Sequence, residues 1–131
     1  MKLYLAHKAS EEDKNELSQE MKRVVGKLDD LGIGWYCTFL DENIREKTRK
    51  DYIGNTIETI KGVDGTLAII KSEEKNEGLL IEVGLIVGMQ KKLFLPIRKG
   101  VMKGRYVRLL ADKIIEFNGI DDLVNKSGGI K

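Results

Sequence analysis

The sequence predicts a single α/β domain spanning residues 1–131, a three-layer sandwich in which helices cover both faces of a five-stranded parallel sheet ordered 2-1-3-4-5. Three observations carry that expectation. Short β-prone runs bounded by turn residues alternate with stretches of helical period along the whole chain, which is the pattern of parallel strands joined by crossover helices. The connections are short, and short right-handed crossovers favour this strand order. The 131 residues contain no internal repeat, linker or low-complexity segment, so they suit one core of common domain size.

The elements follow in order. Leu3 to Ala6 is an apolar run that passes into the polar stretch His7 to Ser10, a buried first strand entering a loop. Ser10 has the chemistry of a helix N-cap, and Glu11, Glu12 and Asp13 suit the positive end of a helix dipole. Leu17, Met21, Val24, Leu28 and Leu31 then recur at steps of four and three, giving an amphipathic helix that ends at Gly32. Ile33 to Phe39 reads as the second strand, with Trp35 and Tyr36 dividing between core and surface and Cys37 an inert thiol inside it. Ile53, Ile57 and Ile60 mark one face of a second helix over Glu46 to Lys61, closed by Val63-Asp64-Gly65. Thr66 to Ile70 is the third strand, and Lys71 to Gly78 a polar loop able to serve as a lid. Leu93 to Ile97 is the fourth strand.

Between these two strands, Leu79 to Met89 is apolar enough for either strand or helix; its length and its place favour a buried helix that starts near Gly78. Gly84 and Gly88, four residues apart, would let that helix approach the sheet closely. Gly104 to Asp112 is expected to hold a short helix, Lys113 to Phe117 the fifth strand and Ile120 to Asn125 a last helical turn or two.

Composition excludes several functions. With 23 Lys+Arg against 21 Asp+Glu, interleaved along the chain, there is no basic stripe to neutralise a nucleic-acid backbone. One cysteine and one histidine cannot build a zinc or iron–sulfur site, and no intramolecular disulfide is possible. The first residues turn polar before a signal-peptide core could form, and the longest apolar run, Leu79 to Met89, is interrupted by Glu82 and too short for about 30 Å of hydrocarbon. A cytoplasmic protein without membrane or nucleic-acid partners is expected.

In an open parallel sheet, ligands sit beyond the carboxyl ends of the strands, where strand order reverses. No phosphate-cradling G-x-x-x-x-G-K-[ST] or G-x-G-x-x-G follows a strand, and His7-Lys8 stands where a metal-dependent receiver domain would need acids. The informative residue is Glu82, the one charge from Gly78 through Gln90. An unpaired buried carboxylate costs several kcal/mol or stays protonated, so this one must reach a cleft or a partner. Periodicity alone equally allows a solvent-facing position at the helix edge.

The segment Asn76-Glu77-Gly78-Leu79-Leu80-Ile81-Glu82-Val83-Gly84, followed by Gly88-Met89-Gln90-Lys91-Lys92 and a strand, resembles the active-site segment of the nucleoside 2-deoxyribosyltransferase family and its nucleotide N-hydrolase relatives, D-x-G-x-x-x-E-x-G. Lys2 to Ala6 is similar to the family's opening strand, and Gly62 to Ile70 to its A-D-x-V-V-A strand entry. The resemblance implies a flavodoxin-like, nucleoside deoxyribosyltransferase-like fold and an N-glycosidase or 2-deoxyribosyltransferase that needs no cofactor or metal. It acts on a small-molecule nucleoside or nucleoside 5'-monophosphate, as a homo-oligomer whose chains share their pockets, with the segment after Phe117 as the donor. It implies Glu82 as the nucleophile, Asp64 as the group that orients it or the sugar hydroxyls, and Tyr4, Asn76 and Gly78 at the substrate. Asn76 stands where the family has an acid, and Leu80 and Ile81 replace small and aromatic residues, which alters base protonation and the pocket wall. His7, Lys8 and Ser10, on a cationic and hydroxyl-bearing loop before a helix, suit a 5'-phosphate, although a plain surface histidine also fits His7. Tyr4 to Asp13 also resembles the opening of a TIR-like domain, so a nucleotide-binding or protein-interaction module without turnover is the alternative.

Overall fold

Alternation along the first strand decides the layers. In β1 (Lys2–His7), Leu3 and Leu5 point to one face of the sheet and Tyr4 and Ala6 to the other, as successive residues of a strand must. Both sets are buried, so both faces are covered. The computed structural model describes residues 1–7, 14–41, 48–74 and 77–130. Within them the order is β1, α1 (Lys14–Asp30), β2 (Gly34–Tyr36), a 3₁₀ turn (Thr38–Leu40), α2 (Arg49–Lys61), β3 (Gly65–Ile69), α3 (Glu77–Gly88), β4 (Lys92–Arg98), α4 (Tyr106–Leu110), β5 (Lys113–Phe117), α5 (Ile120–Lys126) and a closing 3₁₀ turn (Ser127–Ile130).

The five strands pair in the order 2-1-3-4-5 and every pairing is parallel, as the sequence predicts. Tyr4 is the register point of the reversal: it stands opposite Tyr36 of β2 on one side and Thr66 of β3 on the other. One face packs Leu3 and Leu5 against Leu17, Met21, Val24 and Leu28 of α1 and Leu123 of α5. Opposite, Tyr4 and Ala6 pack with Ile60 of α2, Leu79, Val83 and Ile86 of α3 and Val107 of α4. Among the described residues no helix is long and apolar enough to cross a membrane.

Several boundaries differ from the sequence reading. β2 ends at Tyr36, and Thr38 and Phe39 belong to the 3₁₀ turn, because this edge strand pairs with β1 only over Lys2 to Tyr4. Cys37 therefore lies just past the strand, still buried. The described start of α2 is set by Thr48, whose side chain accepts the Asp51 N–H while Asp51 takes the Thr48 N–H; residues 42–47 lie outside the described part. Ser10, the expected cap of α1, also lies outside it. In α2 the buried stripe is Thr56 and Ile60 rather than Ile53, Ile57 and Ile60, for Ile53 is exposed. The turn of the helix that this requires brings Asn55 and Thr56 toward polar partners on β1 and β2.

α3 is a helix, as expected, but it is buried along one stripe only. Leu79, Val83 and Ile86 face the sheet, and Gly84 and Gly88 are exposed, with nothing within 4 Å of where a Cβ would stand. Close approach to the sheet is thus not what these glycines provide. The glycine that does provide it is Gly65, where a Cβ would come within 2.7 Å of the Lys92 carbonyl oxygen on β4.

Candidate active site

Tyr4 is almost fully buried, so its hydroxyl has to find partners inside the protein. It finds them where the layer of α2 and α3 meets the first two strands. Its hydroxyl donates to Glu82 Oε1 at 3.0 Å and lies 3.2 Å from Thr38 Oγ1 and 3.4 Å from Thr56 Oγ1. The three partners come from α3, the 3₁₀ turn and α2, so the phenol ties together elements that are distant in sequence.

Glu82 is half-buried in the second turn of α3. Burial disfavours its charged form and pushes the carboxyl up to about 7, with the Tyr4 hydrogen bond pulling the other way. At neutral pH the group is divided between its two protonation states. Oε1 is held by Tyr4, and among the described residues Oε2 has no hydrogen-bond partner. A half-buried carboxylate of that kind can attack an electrophilic carbon or steady a positive charge, and its ionised fraction rises steeply around neutral pH.

A second polar cluster adjoins the first. The ring of Tyr36 stacks on that of Tyr4 with centroids 6.3 Å apart and planes 20° from parallel. Its hydroxyl donates to Asp41 Oδ2 at 2.6 Å and accepts from Asn55 Nδ2 at 2.8 Å. Burial, then the bond to Asp41, raise the Tyr36 phenol above its ordinary value, and Asn55 and Thr38 oppose them. Sequence reading passed over Thr38, Asp41, Asn55 and Thr56. The available signals were a threonine one helical turn before Ile60 on the buried stripe and the register that sets Tyr36 beside Tyr4.

The residues expected from sequence are only partly brought together. Tyr4 meets Glu82, and Gly78 lies one helical turn before Glu82 at the exposed start of α3. Asp64 is placed elsewhere. It precedes β3 at the amino edge of the sheet, its Oδ2 accepts the Lys2 N–H at 2.7 Å, and its own N–H donates to the Lys2 carbonyl. Parallel strands separate their amino and carboxyl edges, and Asp64 thereby clips the starts of β1 and β3 together rather than orienting Glu82.

His7 closes β1 on the opposite face from Tyr4, since odd and even residues of a strand diverge. Its ring meets Phe39 edge-on at 5.3 Å and its Nε2 lies 3.7 Å from Cys37 Sγ. Burial drives that thiol up to about 11, with a smaller push from Glu82, so it remains a neutral thiol at ordinary pH. Lys8, Ser10 and Asn76 lie outside the described residues. Among the described residues no three His, Cys, Asp or Glu side chains converge in a way that could hold a metal ion.

No protein-family profile matches the chain, and no curated protein does. Solved structures match it over nearly its whole length. A CMP N-glycosidase, BcmB of Clostridium botulinum, superposes with a TM-score of 0.73 at 17% identity, over 96% of this chain and 97% of its own. A 2-deoxyribosyltransferase of Bacillus psychrosaccharolyticus gives 0.70 at 22% identity, over 95% and 91%. A conserved protein of Enterococcus faecalis V583 gives 0.69 at 12% identity, over 99% and 98%. The α/β fold expected from the sequence is therefore also the fold of a nucleotide N-glycosidase and of a deoxyribosyltransferase.

Proposed function

We propose that the protein cleaves or transfers the N-glycosidic bond of a deoxyribonucleoside or its 5'-monophosphate, with Glu82 as the nucleophile. The observation that carries this reading is the state of Glu82: half-buried in a helix at the reversal of strand order, held through Oε1 by Tyr4 and, among the described residues, without a hydrogen-bond partner at Oε2. The fold shared with the CMP N-glycosidase and the 2-deoxyribosyltransferase supports it.

Breaking a C–N bond at an anomeric carbon leaves positive charge on the sugar. In this reading Glu82 Oε2 attacks that carbon as the bond pair departs with the base, and the ionised carboxylate steadies the charge and captures it as a glycosyl ester. Water or a second base then displaces the carboxylate, and two displacements at one carbon give net retention. Asn76, at the position where the resembled family has an acid, has no proton of suitable acidity to give the departing base. Bases that take their proton from water are thus the better substrates. Lys8 and Ser10 follow β1 in sequence, and on that ground the 5'-monophosphates belong among the substrates.

The reading includes a homo-oligomer. α2, α3 and α4 form one layer, and they leave Ile53, Leu80, Ile81, Leu109 and Leu110 exposed on it, an apolar surface that a second copy of the chain would cover.

The test is a screen of deoxyribonucleosides, their 5'-monophosphates and NAD, followed by chromatography for free base, with wild type beside Glu82→Gln. Wild type should release base from at least one deoxyribonucleoside or monophosphate and the variant from none. Release should rise through about pH 7 as the carboxylate ionises. Failure of wild type to release any base, or equal release by the variant, would transfer the assignment to an interaction module.

A further inference from the structure

Two buried threonines have no role in the scheme above. Thr38 and Thr56 are almost wholly inaccessible, they come from the 3₁₀ turn after β2 and from α2, and both hydroxyls point at the same phenol oxygen. A phenol has one proton. Where a carboxylate stands at 3.0 Å that proton goes to the carboxylate, because a bond to a charged acceptor is about twice as strong as a neutral one. Each threonine then meets the Tyr4 oxygen as a donor.

The neighbouring cluster keeps Thr38 available for this. Its hydroxyl also lies against that of Tyr36, but the Tyr36 proton is committed to Asp41 at 2.6 Å and the Tyr36 oxygen already receives an N–H from Asn55 at 2.8 Å. With both phenol protons committed to carboxylates, Thr38 accepts from neither tyrosine and is a donor, its proton shared between the Tyr4 oxygen at 3.2 Å and the Tyr36 oxygen. We propose that Thr38 and Thr56 are positioning residues for Glu82: their hydroxyls donate to the Tyr4 oxygen, and so hold the Tyr4 proton on Glu82 Oε1 and keep Oε2 turned to substrate. The proposal rests on the reading of Glu82 as the nucleophile.

A donor that itself accepts hydrogen bonds is polarised and donates more strongly, so the threonines favour the ionised carboxylate through a residue they do not share with it. The titratable groups facing Glu82 among the described residues are Tyr4 from β1 and Cys37 after β2. From α2 the facing group is the neutral Thr56 hydroxyl, reached through Tyr4, and no charged group of β3 or β4 contributes. On α4, Arg108 is turned to the Val101 carbonyl and Glu116.

The experiment reads Glu82 directly, by the pH dependence of its side-chain carboxyl carbon resonance in protein labelled at glutamate, assigned through Glu82→Gln. Thr38→Val and Thr56→Val should each move the midpoint up by a few tenths of a pH unit, and the double variant further, toward the larger rise of Tyr4→Phe. Thr38→Ser and Thr56→Ser, which keep the hydroxyl, should return the midpoint to that of wild type. An unmoved midpoint in both folded valine variants, or serine variants that behave like the valine ones, would overturn the proposal. Should the double variant fail to fold, the single valine and serine variants decide. The acidic limb of base release should move with the resonance. If wild type releases no base, the enzymatic reading fails while the resonance still decides whether the threonines act on Glu82.

Discussion

At the scale of the residue, Glu82 carries a measurable conflict between function and stability. Its carboxyl, ordinarily near 4.5, is pushed to about 7 in the folded protein by burial. Between those values the folded chain holds a proton that the unfolded chain has lost, so unfolding becomes easier as pH rises through the window and levels off above it. Glu82→Gln removes the titration. The variant should therefore gain on wild type between pH 5 and pH 8, by about 1–2 kcal/mol after allowance for the partial exposure of the group. Urea denaturation of both proteins at the two pH values checks this, and a gap that does not widen with pH would show that Glu82 is solvated in the folded state.

At the scale of the element, the sheet depends on how closely β3 and β4 approach. Gly65 pairs with Lys92 where a Cβ would stand 2.7 Å from the Lys92 carbonyl oxygen, and that obstacle is backbone rather than a movable side-chain tip. Gly65→Ala should destabilise by about 1–3 kcal/mol through the shift it forces, measured by urea denaturation. Wild-type stability in that variant would mean that the two strands part without penalty. The same corner closes α2: the Lys91 ammonium donates to the carbonyl oxygen of Lys61, which the helix end leaves unpaired, and to that of Val63 just beyond the cap, each at 2.6 Å. The turn after α3 that delivers Lys91 runs through Gln90, whose φ of 58° is in the left-handed region.

At the scale of the molecule, the two helical layers are unlike. Both carry surface ion pairs, such as Arg23 to Asp121 at 2.6 Å between α1 and α5 and Lys61 to Glu58 at 3.1 Å on α2, but among the described residues α1 and α5 expose no large apolar side chain. Across the sheet, α3 and α4 expose Leu80 at 41%, Ile81 at 44%, Leu109 at 74% and Tyr106 at 83%. Helices that are apolar beyond the stripe facing their own sheet have a second surface to bury. Light scattering should report an oligomer, and Leu80→Glu with Ile81→Glu should shift it toward monomer by setting like charges into the interface. A wild-type monomer across the accessible concentration range would remove the homo-oligomer from the proposed function.

The sequence by itself determined the fold class, the strand order and the assignment of Leu79 to Met89 as helix, because hydrophobic periods of two and about 3.6 residues, broken by glycine and polar turns, are local properties of a chain. It also marked Glu82, since one carboxylate in an apolar helix is an anomaly that needs no partner to be noticed. Which groups meet that carboxylate was decided only by the tertiary structure. Tyr4, Thr38, Thr56 and Glu82 are separated by up to 78 positions and converge through strand register and the rotation of α2, neither of which any short window of sequence encodes. Asp64 shows the same limit from the other side: its place beside a strand entry is plain in sequence, but the edge of the sheet on which it stands, away from Glu82, follows from the direction in which parallel strands run.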